Sequence, residues 1–141
     1  EGAIEAETLA PVASGGKTAV ETSSRLGWRG GRQYLWRWAA PGDTLAFALP
    51  APADGDYDVY LCATRELDGG RFTVQINDDP PGPPIDLAAL NEELMLPLLL
   101  GKHALHAGEN RATLRMVSPA QAGRGGSRVG LDYFALGLPP R

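Results

Sequence analysis

The chain has 141 residues, 43% of them hydrophobic and 21% charged, with a formal net charge of −4. That is the size of one ordinary domain with enough apolar residues to build a core, which argues against disorder. The acidic balance argues against a general nucleic-acid binder, and no apolar run is long enough to span a bilayer, since "LMLPLLLG" at 94–101 is short and broken by Pro97.

The first residue is Glu rather than Met and no signal peptide precedes it, which reads as a processed chain or a domain excised from a larger protein. "IEAETL" at 4–9 alternates apolar and acidic side chains. As a strand it would put Glu5 and Glu7 on one face, roughly 7 Å apart at Cα. Two carboxylates so placed repel each other unless water or a cation separates them. "SGGKT" at 14–18 has the look of a phosphate-binding loop, but Pro11 stands where that loop needs Gly, so it reads as an ordinary loop.

"LGWRGGR" at 26–32 is a Gly/Arg loop holding Trp28. An exposed Trp28 could stack on a sugar ring, with Arg29 and Arg32 as guanidinium donors; the indole could equally fold back over a sheet edge. A strand starting near Gln33 would place Tyr34, Trp36 and Trp38 on one face and Leu35 and Arg37 on the other. Trp36 and Trp38 are expected in the core.

Next, "DTLAFAL" at 43–49 aligns Leu45, Phe47 and Leu49, and Asp54-Gly55 signals a hairpin. "YDVYLCAT" at 57–64 aligns Tyr57, Val59 and Leu61. The single cysteine, Cys62, sits inside that apolar run, where a buried structural thiol is expected. Arg65, Glu66 and Asp68 fall in a loop, after which "RFTVQI" at 71–76 aligns Phe72, Val74 and Ile76. In the segment 85–101, Asp86 is a plausible N-cap and Leu87, Leu90 and Leu94 recur at helical spacing, so at most a short helix over 86–96 is expected, followed by a strand near Leu98.

His103 and His106 fall on opposite faces of a strand and read as solvated rather than metal-binding. "RATLRMV" at 111–117 aligns Ala112, Leu114 and Met116. "QAGRGGSR" at 121–128 is a second Arg-bearing loop, "GLDYFAL" at 130–136 is the last strand, and 137–141 reads as a frayed tail.

Short alternating runs punctuated by Gly and Pro, with no long helix between them, predict an all-β fold. The expected architecture is one domain over 1–141, a β-sandwich or jelly roll of two antiparallel sheets with at most one short helix. The neighbouring carboxylates Asp78-Asp79 and Glu92-Glu93 point apart in a strand or turn, and no nucleophile motif is present. The residues therefore give no positive sign of catalysis.

The order of these features, from "IEAETL" through "YLWRW", "PGDTLAFALP", "DGDYDVYLCATR", "GGRFTVQIND" and "LGKHALHAGENRATLRMV" to "GLDYFAL", resembles the galactose-binding-like β-sandwich carbohydrate-binding modules of families 6 and 35. It is similar in particular to accessory domains of that type on bacterial glycoside-hydrolase-like proteins. The resemblance implies a non-catalytic module that tethers a parent enzyme to glycan, working outside the cell or in the periplasm. The alternative is a structural sandwich that packs on a catalytic neighbour or assembles subunits without touching sugar.

The resemblance also implies a structural Ca2+ held by Glu5, Glu7 and Asp132, with backbone carbonyls near Ser24 or Arg25 completing a shell of six to eight oxygens. The sugar site it implies lies at loop tips, where Trp28, Arg29, Arg32, Tyr34, Arg65, Gln121, Arg124 and Arg128 are the candidates. The expected partners are a glycan or an adjacent catalytic domain, with neither nucleic acid nor membrane among them.

Overall fold

The computed structural model describes residues 3–22, 32–65, 69–88, 93–94, 97–119 and 128–137. Apart from one 3-10 turn at Ala6–Thr8, the regular elements among them are strands. In chain order these are β1 (Ala3–Glu5), β2 (Val12–Ala13), β3 (Lys17–Thr22), β4 (Arg32–Arg37), β5 (Thr44–Ala51) and β6 (Gly55–Arg65). Then come β7 (Gly70–Ile76), β8 (Ile85–Asp86), β9 (Glu93–Leu94), β10 (Leu98–Leu105), β11 (Gly108–Pro119) and β12 (Val129–Gly137).

Two antiparallel sheets face each other. The first runs β10-β6-β12-β4-β3, with β1 also on β12 and β9 also on β6; the second runs β2-β5-β11-β7-β8. Period-two alternation decides which side chains meet between them. Leu45, Phe47 and Leu49 of β5 are buried with Phe72 and Ile76 of β7 and Leu114 of β11, against Val59 and Leu61 of β6. Phe47 sits edge-on to Tyr34 at 5.9 Å and to Phe134 at 5.3 Å, joining the two layers through aromatic contacts. Removing so central a ring would cost about 3–5 kcal/mol.

Several local expectations change. Glu7 belongs to the 3-10 turn rather than to a strand shared with Glu5. Asp54-Gly55 turns the chain, but β5 and β6 lie in different sheets, so the two are not a hairpin. Where at most a short helix is expected over 86–96, the described residues hold short strands at Ile85–Asp86 and Glu93–Leu94, and 89–92 and 95–96 lie outside the described residues. Asp86 does use its carboxylate as a cap would, accepting the Ala88 amide at 2.9 Å, yet the pairing of β8 with β7 and of β9 with β6 holds the backbone extended.

Asp79 and His103 are not solvated apart either: Nδ1 lies 2.6 Å from Oδ2, clasping β10 to the turn after β7. Cys62 is 2% exposed, and burial, then the Asp132 charge, push its thiol up to about 11, partly offset by a hydrogen bond involving Tyr133. It is the inert structural thiol expected.

Candidate functional site

Where β4 ends, the alternation breaks. Tyr34 and Trp36 point into the core, at 8% and 0% exposure, but Trp38 stands 62% exposed, against the expectation that it joins them. Its backbone turns left-handed, with φ at +62°, a conformation costly for a bulky side chain. The cause lies in the turn that follows. The Ala40 amide donates to the Asp43 carboxylate at 2.8 Å, and the Gly42 amide donates to the Met116 carbonyl at 2.8 Å. The Met116 amide in turn donates to the Asp43 carbonyl at 2.9 Å, so the turn is fixed to β11 in the second sheet. To reach it the chain must leave the first sheet abruptly, and the residue at the break is Trp38.

The guanidinium of Arg37 lies 4.4 Å from the centre of the Trp38 ring system. Such a contact is worth about 0.5–1 kcal/mol at an exposed site, enough to bias the indole toward one pose. Below it, the backbone around Gly15 and Gly16 packs closely on β4. The Trp36 indole donates to the Gly15 carbonyl at 2.9 Å, and a Cβ on Gly16 would come 2.6 Å from the Arg37 carbonyl, at a φ of +77° that glycine tolerates. Trp38 is thus an exposed aromatic on a rigid base.

The same end of the first sheet carries two expected site residues. Val129 pairs with Trp36 and Gly130 with Thr64, which brings Arg128 and Arg65 to the level where β4 ends. Arg128 makes a two-oxygen contact with Glu21, at 2.7 and 2.8 Å. Glu21 also accepts from the Gln33 amide at 2.8 Å, whose oxygen accepts from the Thr64 hydroxyl at 2.7 Å. Gln33 and Thr64 are fully buried, so this chain fixes β3, β4, β6 and β12 to one another. Arg65 donates to the Ala88 carbonyl at 3.0 Å.

Other expected ligand residues are placed elsewhere. Tyr34 is a core residue, with its ring committed to Phe47, so it offers no stacking face. Arg32 lies at the opposite end of β4, among the amino-terminal acids. Trp28, Arg29, Gln121 and Arg124 fall outside the described residues.

The acidic cluster follows from topology. β4 pairs with residues 129–131 of β12, and β1 pairs with 133–135 on the same edge, so the two strands lie end to end. The first residue of β4, Arg32, therefore meets the last residue of β1 and the 3-10 turn. Its guanidinium is 3.5 Å from the Glu5 carboxylate and 3.6 Å from that of Glu7. The Glu7 side chain is only 8% exposed, and neither of its oxygens has a hydrogen-bond partner. Burial raises its pKa, its own backbone amide and Arg32 lower it, and the neighbouring Glu5 raises it further.

Asp132 is buried on β12 beside Cys62. Among the described residues no three His, Cys, Asp or Glu side chains gather closely enough to hold a metal ion. The orphaned, buried oxygens of Glu7 beside Glu5 nonetheless fit a hard cation that accepts oxygen ligands.

No protein-family model matches the chain, and no curated protein matches it by sequence. Solved structures do match. A xanthan lyase from Paenibacillus aligns over 97% of the chain at 22% identity and a TM-score of 0.83. A family 35 carbohydrate-binding module from Clostridium thermocellum aligns over 97% of the chain and 97% of its own length, at 15% identity and a TM-score of 0.61. A family 6 carbohydrate-binding module aligns over 97% of the chain and 93% of its own, at 11% identity and a TM-score of 0.61. The chain spans 13% of the length of the lyase. Its fold is therefore the β-sandwich seen in family 35 and family 6 carbohydrate-binding modules.

Proposed function

We propose that the chain is a non-catalytic carbohydrate-binding module that holds a glycan against Trp38. The observation that carries this reading is the 62% exposed indole on a left-handed backbone, braced by Arg37 at the end of a rigid sheet. The C–H face of a pyranose stacks on such a ring, and the Arg37 guanidinium beside it can donate hydrogen bonds to hydroxyls or carboxylates.

The sandwich match supports the reading, and the short share of the lyase that it covers supports attachment to an adjacent catalytic domain acting on polysaccharide outside the cell. The module would then raise the effective concentration of its enzyme at the polymer surface. The test is affinity electrophoresis through a panel of neutral and uronate-bearing polysaccharides, xanthan included. Retardation by at least one polymer, weakened about tenfold by Trp38→Ala, is the expected result. Equal retardation of wild type and variant would move the site elsewhere, and no retardation by any polymer would favour the second reading.

That second reading, packing on a neighbouring domain without sugar, has one feature in its favour. An apolar crevice of about 170 Å³ opens at the sandwich edge between Val74 and Ile85 on one side and Leu98–Leu100 on the other, with Leu99 58% exposed.

The amino-terminal acidic pair is read as a structural calcium site, with Glu5 and Glu7 as its carboxylate ligands. Calcium there would neutralise two carboxylates that share a single guanidinium. A chelator should lower the melting temperature and calcium should restore it, with the response lost in Glu7→Gln. An unchanged melting temperature in both conditions would remove calcium from the account.

A further inference from the structure

We infer that Arg32 is a built-in counter-ion for the Glu5–Glu7 pair, and that a divalent cation binds there only by displacing it. The inference rests on the calcium reading above. Its observations are the two distances, 3.5 Å from Arg32 Nη2 to Glu5 Oε1 and 3.6 Å from Arg32 Nε to Glu7 Oε2, and the Glu7 side chain buried with both oxygens unpartnered. A single guanidinium spans both carboxylates, yet it makes only a long contact to the more deeply buried one.

The charge arithmetic decides the competition. Two carboxylates and one guanidinium sum to −1, so the metal-free cluster holds together but keeps one excess negative charge. Calcium bound to the same two carboxylates would bring the cluster to +1 if Arg32 stayed, with guanidinium and metal facing each other across a few ångströms of partly buried space. Calcium–oxygen distances of about 2.3–2.6 Å also require the carboxylate oxygens to converge on a point that the guanidinium now overlooks. Arg32 is 49% exposed on its side chain, so it can swing into solvent at little packing cost. Without metal, Arg32 fastens the amino-terminal segment to β4, and metal takes over the neutralisation of the two carboxylates when it is present.

The test is calorimetric titration of calcium into chelator-stripped protein, comparing wild type with Arg32→Gln and Arg32→Lys. Displacement predicts calcium binding about tenfold tighter in Arg32→Gln, with Arg32→Lys between the two, because the repelled charge is gone or less well placed. It also predicts that metal-free Arg32→Gln melts below wild type and gains more on adding calcium. Equal or weaker calcium binding by Arg32→Gln, with wild type binding normally, would overturn the inference and leave the calcium reading standing. No calcium binding by any of the three would overturn both. A crystal structure of calcium-bound wild type guards against a variant that fails to fold: Arg32 should be clear of both carboxylates, and a guanidinium still bridging them beside the metal would contradict displacement.

Discussion

Trp38 and Cys62 show how much one residue's surroundings change what its type implies. Both sit in apolar runs that read as core. Cys62 is buried, and its thiol is pushed up to about 11, first by burial and next by the Asp132 charge. A thiol raised from 9.0 contributes stability that is complete below pH 9 and is lost as pH rises through 11, because the unfolded chain ionises first. Stability should therefore fall by up to about 3 kcal/mol across that window, measured by urea unfolding in a pH series. Cys62→Ala should flatten that part of the profile. A wild-type profile that is already flat there would show the thiol to be unperturbed.

Trp38 was misplaced by alternation alone. The signal that could have corrected it is the "APGD" at 40–43. A Pro-Gly turn must begin within two residues of Trp38, so the strand period cannot be extended to it. What no local pattern shows is that the turn is bonded to Met116, more than seventy residues later in the chain, which is what forces the left-handed step.

The strands were legible because each buries one face, and period two is visible wherever that holds: β5, β6, β7 and β11 place their apolar residues inward as their alternation requires. The last strand was legible only in part. A bulge between Leu131 and Tyr133 lets both Leu131 and Phe134 face the core, three apart rather than two. The segment 85–101 was ambiguous because leucines at helical spacing cannot by themselves be told from short edge strands, although the strand at Leu98 was legible. The end-to-end seating of β1 and β4 on β12 was invisible, since it depends on pairing across the whole chain. It is also what puts Arg32 beside the glutamates, although its position beside Trp28 in sequence pointed toward a sugar.

One glycine fastens several of these elements. Gly69 bridges to Arg128 just before β7, and a Cβ there would collide with the Leu87 carbonyl at the end of β8. The obstacle is backbone, which cannot step aside as a flexible side chain could. Gly69→Ala should cost about 1–3 kcal/mol in chemical denaturation. A variant as stable as wild type would mean that β8 is free to shift.

For the whole molecule, the two packed sheets place distinct features at opposite ends of β4. One end carries the exposed indole with Arg37 against it, the other the Glu5–Glu7 pair with Arg32. The two-layer architecture was legible from strand count and spacing, because no connecting segment was long or amphipathic enough for another fold class. The location of a site on that architecture was not, since it depends on which side chain each turn ejects.

The central claim is that glycan meets the protein at Trp38. The most direct measurement is a heteronuclear spectrum of the three tryptophan indole N–H groups during titration with an oligosaccharide that binds. The account predicts a progressive shift of the Trp38 signal while that of buried Trp36 stays in place. A shift confined to Trp28, with Trp38 unmoved at saturation, would contradict it.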